Sequence, residues 1–79
     1  MNRETIMYNL IRGEASTVRT GAYDFAVAKG EDVLAGGTVF SDGSHVITSG
    51  KKYALGNFKR ADVNRAVRAM LHGGQSSLG

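Results

Sequence analysis

The hydrophobic pattern of this chain changes period near residue 22 and changes again after residue 57, so two kinds of element must share one core. In the middle, Tyr23, Phe25 and Val27 alternate with Asp24, Ala26 and Ala28, the period of two that a half-buried strand requires. Further on, Val63, Ala66, Val67, Met70 and Leu71 follow the i, i+3, i+4, i+7, i+8 spacing of an amphipathic helix. A one-sided sheet and a one-sided helix each need the other's apolar surface, which predicts the α+β class.

Eleven glycines and no prolines punctuate the remainder. Residues 3–12 read as a short helix, with Asn2 as its cap, Ile6, Met7, Leu10 and Ile11 on one face, and Gly13 ending it. The alternation of Ile6, Tyr8 and Leu10 leaves a strand open as the other reading of that segment. Lys29 to Asp32 is expected to turn, and Val33 to Phe40 to form a strand bent at Gly36-Gly37. Asp42-Gly43 has the residue types of a tight hairpin turn, and His45 to Thr48 follows as the next strand. Tyr53 to Leu55 is a candidate fourth strand. A helix near residues 59–72, capped by Asp62 or Asn57, ends at Gly73-Gly74. The expected architecture is a three- or four-stranded antiparallel meander with two helices, in the order α-β-β-β-(β)-α. Residues 1–74 are expected to form one compact domain and residues 75–79 a flexible tail. The expected core contains Ile6, Leu10, Phe25, Val27, Val39, Ile47, Leu55, Val63, Val67 and Met70.

A chain of 79 residues has a thin core, burying only about 60% of the surface its unfolded form exposes. Its apolar share of 42% is that of an ordinary globular protein. Cysteine is absent, which removes disulfides and thiolate metal ligands and suits a cytoplasmic location. No apolar run approaches the length of a membrane span or a signal-peptide core, so no membrane association is expected.

Few residues invite chemistry. Asp42, Ser44 and His45 have the types of a catalytic triad, but within one turn the base cannot bridge nucleophile and acid. Two histidines without cysteine, His45 and His72, fall short of a closed metal site. Gly50-Lys51-Lys52 lacks both the earlier glycine and the following Ser or Thr of a phosphate loop. The chain is therefore expected to act without catalysis, cofactor or metal.

Charge is the feature left. Residues 1–50 carry Arg3, Arg12, Arg19 and Lys29 against Glu4, Glu14, Asp24, Glu31, Asp32 and Asp42, a balance of −2. Residues 51–79 carry Lys51, Lys52, Lys59, Arg60, Arg65 and Arg68 against Asp62 alone, a balance of +5. These six cations are the candidate binding residues, facing either phosphate or a carboxylate-rich protein surface. Arg65 and Arg68 fall opposite the apolar stripe, where a plain solvated helix face would equally place them. Tyr23, Phe25, Phe40 and Phe58 read as core, whereas Tyr8 and Tyr53 are free to serve either the core or a contact surface.

Two resemblances bear on function. The expected αβββα order, with Gly50-Lys51-Lys52 before a basic final helix, resembles the double-stranded RNA-binding domain over residues 23–72. That likeness implies phosphate contacts by Lys51 and Lys52. The chain departs from that family in the ten residues from Tyr53 to Asp62 that separate the lysine pair from the apolar-periodic helix, and in lacking its alanine-rich run. In size, lack of cysteine and lack of catalytic motif, the whole chain is similar to small phage-encoded inhibitors of the anti-CRISPR type. This implies a stoichiometric inhibitor that occupies a surface of a larger protein or nucleoprotein host complex, with nucleic-acid binding through the same basic patch as the alternative. Open sheet edges also leave room for a homodimer.

Overall fold

A computed structural model describes residues 7–79. The chain forms four consecutive strands, β1 (Tyr8–Ala15), β2 (Tyr23–Lys29), β3 (Asp32–Val39) and β4 (His45–Gly50), then a helix, α1 (Arg60–Gly73), and a last strand, β5 (Gln75–Leu78). The five strands make one antiparallel sheet in the order β4-β3-β2-β1-β5. The helix therefore carries the chain from one edge of the sheet to the other, across a single face.

That face holds the core. Leu10 pairs with Val27, which pairs with Ala35; Phe25 pairs with Arg12 on one side and Gly37 on the other. Against this surface lie Val63, Ala66, Val67, Met70 and Leu71 of α1, joined by Ala54 and Leu55 from the connecting turns. Gly37 is required here: a Cβ would collide with the Val46 carbonyl and approach the Phe25 ring to 3.0 Å. Register shifts interrupt three strand pairings: Leu34 is unpaired between β2 and β3, Thr48 is unpaired between β3 and β4, and Gly13 and Glu14 stand between the paired Arg12 and Ala15 where β1 meets β2. The second lies beside Gly36-Gly37, as the sequence suggested, with the extra residue on the neighbouring strand.

The fold corrects the expected architecture in three places. It has five strands and one helix instead of two helices in the order α-β-β-β-(β)-α. From Tyr8 onward the segment expected as an N-terminal helix is β1, while residues 3–6 and the core candidate Ile6 lie outside the described residues. The physical reason is burial: Leu10 is fully buried while its neighbour Ile11 is 44% exposed, the alternation of a strand. Tyr53 to Leu55 is not a strand but part of a series of turns, with Ala54, Gly56 and Phe58 each donating to the carbonyl three residues back. Gln75 to Leu78, expected as a loose tail, pairs with β1, and the Ser76 hydroxyl donates to the Ala66 carbonyl at 2.5 Å.

The helix matches its expected span within a residue at each end. Gly74 caps it in the left-handed region (φ 85°) and donates to the Met70 carbonyl at 2.8 Å. Lys59 takes the N-cap position without a side-chain hydrogen bond; Asp62 sits in the first turn. The helix C-terminus is held by a residue from the sheet. Arg12 Nη1 donates to the Leu71 carbonyl at 2.5 Å, with its guanidinium 4.8 Å from the centre of the Tyr23 ring. A cation at that end also meets the negative pole of the helix dipole. Among the described residues no helix is long and apolar enough to cross a membrane.

Candidate anion-binding surface

The lysine pair is set by the end of β4. Gly50 adopts φ 75°, and a Cβ there would strike the Leu34 carbonyl oxygen. Lys51 N–H donates to that same carbonyl at 2.9 Å. The chain then turns sharply; Ala54 and Leu55 anchor the turn in the core and leave the side chains of Lys51, Lys52 and Tyr53 in solvent. Opposite them stands Tyr8 of β1, its ring edge-on to Phe58 with centroids 5.0 Å apart. The Lys29 ammonium lies 5.9 Å from the Tyr8 ring centre, within cation–π reach.

These groups enclose an open cleft of about 360 Å³, lined by Tyr8, Lys29, Leu34, Lys51, Lys52, Tyr53, Ala54 and Asn57. Three lysines line it and, among the described residues, no carboxylate does. Tyr53 is 86% exposed, an aromatic face presented to solvent beside the lysines. Such a cleft favours an anion, and most strongly a flat one that also stacks.

The structure does not gather all six sequence candidates. Lys51 and Lys52 share the cleft with Lys29. Lys59 is exposed at the start of α1, and Arg60 borders a separate hollow with Ser44, His45, Leu55, Phe58, Val63 and Asn64. Arg68 crosses the β3–β4 turn: its Nε lies 3.1 Å from where a Gly43 Cβ would be. Arg65 turns the other way, toward β5, into a groove of about 580 Å³ between α1 and β5. There its Nη1 lies 3.5 Å from Asp62 Oδ1, the one ion pair among the described residues. Arg65 is thus partly neutralised, and the helix cations spread over three directions.

Two further groups sharpen the electrostatics. Asp42 accepts from the Ser44 hydroxyl at 2.6 Å and from Ser44 N–H at 2.8 Å, which holds its carboxyl below the usual aspartate value. It borders the hollow beneath Arg68, so that hollow is of mixed sign. Burial lowers the pKa of His45, whose ring lies edge-on to Phe25 at 6.1 Å. The Asp42 carboxylate therefore engages Ser44, while His45 engages the core. Among the described residues no three His, Asp or Glu side chains stand close enough to hold a metal ion.

Lys29 was not singled out in the sequence, because the residues that join it at the cleft are far along the chain. The sequence offered Gly50-Lys51-Lys52 as a local signal and left Tyr8 and Tyr53 between core and contact surface. Comparison with protein-family models, with curated proteins and with solved structures returns no match.

Proposed function

We propose that this chain is a binding protein that acts by occupancy instead of turnover, seating an anionic surface of a larger protein or nucleoprotein complex in its lysine cleft. The reading is that of a stoichiometric inhibitor, in the manner of small phage-encoded anti-defence proteins of the anti-CRISPR type. The observation that carries it is the cleft of Lys29, Lys51 and Lys52, with no carboxylate among its described lining residues and with Tyr8 and Tyr53 flanking it. Lys59, Arg60 and Arg68 extend the positive field along α1, and the absence of cysteine suits action in the cytoplasm. Arg65, paired with Asp62, contributes least.

A second reading, a nucleic-acid-binding module that uses the same cations on phosphates, draws support from one feature. The exposed Tyr53 ring beside the lysines matches the stacking-plus-charge recognition of single strands.

Pull-down from host extract with and without nuclease separates the two. A protein-directed inhibitor retains its partner after nuclease treatment and at moderate salt, with salt mainly slowing association. A nucleic-acid module loses it, and binds single strands with a log–log salt slope of about −2 if the three cleft lysines contact phosphate. Lys51→Glu/Lys52→Glu abolishes either interaction while Arg65→Glu weakens it less. Binding that survives the double lysine reversal in a folded variant places the interface elsewhere, and a turnover lost in His45→Phe overturns the non-catalytic reading.

A further inference from the structure

We propose that the face of the sheet opposite α1 is a self-association surface, on which a second copy of this chain packs face to face. Across the paired positions of that face run Ser77, Asn9, Ala28 and Val33, then Gln75, Ile11, Ala26, Gly36 and Ser49, then Asp24, Thr38 and Val46. Asp24 is the one charged side chain at these paired positions; Glu14 stands in the irregular stretch of β1 opposite it. Val33 is 70% exposed, Val46 46% and Ile11 44%. The solvated face of an antiparallel sheet ordinarily carries a polar and charged set at these alternate positions. Here Ile11, Ala26, Ala28, Val33, Gly36 and Val46 form an aliphatic and small-residue patch among the uncharged polar Asn9, Thr38, Ser49, Gln75 and Ser77, with Ala28 already buried at 7% exposure.

Three observations favour a second copy over another occupant. The first is charge. Each chain is net +3, yet no cation stands at the paired positions of this face, and the cations of the cleft and of α1 lie on the other side. Two copies meet here without like-charge contact. The second is shape. Ala26 and Gly36 leave the centre low while Ile11, Val33 and Val46 rise around it, so a two-fold mate can set its projecting side chains over those low positions. The third is area. Five strands about 4.8 Å apart and about 20 Å long give a footprint of about 500 Å² per copy, or about 1,000 Å² in total, the lower bound for a specific interface. The two lysine clefts then face outward on opposite sides, which makes the assembly bivalent toward a repeated anionic partner.

The test is sedimentation equilibrium over a dilution series, on the wild type and on Ile11→Lys/Val46→Lys. The wild type should pass reversibly between one and two chain masses. The double variant should stay at one, with an unchanged circular dichroism spectrum, because both side chains are already half in water. Asp24→Asn, which removes the one charge desolvated at the paired positions, should move the dissociation midpoint several-fold toward lower concentration. A wild type that keeps the mass of one chain throughout overturns the proposal, whatever else covers that face. So does a dimer that Arg65→Glu/Arg68→Glu dissociates and Ile11→Lys/Val46→Lys does not. If the double lysine variant fails to fold, the absence of any shift in Asp24→Asn overturns it instead.

Discussion

Leu10 and Ile11 are adjacent, similar in size and on the same strand, yet one is sealed beneath α1 and the other stands in solvent. The two faces of this sheet differ in the same way at most positions, Ala28 on the open face being buried at 7% exposure. On the covered side Leu10, Phe25, Val27, Ala35 and Val39 belong to the core cluster shared with the helix; on the open side Ile11, Ala26, Gly36 and Val46 lie outside that cluster. One helix of fourteen residues covers one face of a five-stranded sheet and no more. Stability is therefore concentrated on one side, and the other is the face proposed above for self-association.

The sharpest way to break that contrast is to charge the covered side. Val67→Asp places an unpaired carboxylate at a position with no exposure, and the domain should lose all cooperative unfolding, by thermal circular dichroism, because several kcal/mol are lost from a thin core. Next comes the adjacent pair: Leu10→Ala should cost about 2–5 kcal/mol in urea denaturation, and Ile11→Ala, measured in dilute protein, under about 1 kcal/mol. Equal costs would mean that the two faces are not distinct. Arg12→Met keeps much of the apolar stem but removes the bond to Leu71 and the charge at the helix end. It should cost about 1–3 kcal/mol, checked by the same titration. The smallest effect is a slope with pH. Because burial lowers the His45 pKa, the unfolded chain binds its proton first as pH falls below about 6.5, the ordinary histidine value. Stability should decline from there down to the lowered folded-state pKa and then level off. His45→Phe, which keeps an aromatic edge against Phe25, should flatten that decline in melting temperature between pH 7.5 and 5.

What the sequence disclosed and what it hid follow from the range of the interactions involved. The helix was legible because five apolar residues at helical spacing and a Gly-Gly stop are local signals, as was the Asp42-Gly43 hairpin. The strand β1 was misread because Met7, Leu10 and Ile11 satisfy a helical stripe, and only the neighbouring strands decide that Ile11 faces away from the core. The strand β5 offers no pattern: of Gln75, Ser76, Ser77 and Leu78 only the last is buried, and the segment is held largely by backbone bonds to β1. The candidate surface was half legible. Lys51 and Lys52 stood out as a pair, but Lys29 and Tyr8 join them only through the pairing of β1 with β2, and the helical arginines scatter once α1 is laid on its sheet.

The pairing of β1 with β5 has a further consequence, for the order in which the molecule assembles. Each hairpin of the β1–β4 meander closes a short loop, whereas Tyr8 and Leu78 bracket almost every described residue, and closing that loop carries the largest entropic penalty in the chain. Such non-local contacts slow folding. Until they form, the outer edge of β1 exposes unpaired amides and carbonyls, Arg12 N–H among them, which in the finished protein meets the Gly74 carbonyl at 2.9 Å. A nascent or thermally opened molecule is thus most exposed to strand-to-strand aggregation at β1, and substitutions that loosen β5 should lower the yield of refolding before they measurably lower the stability of the folded state.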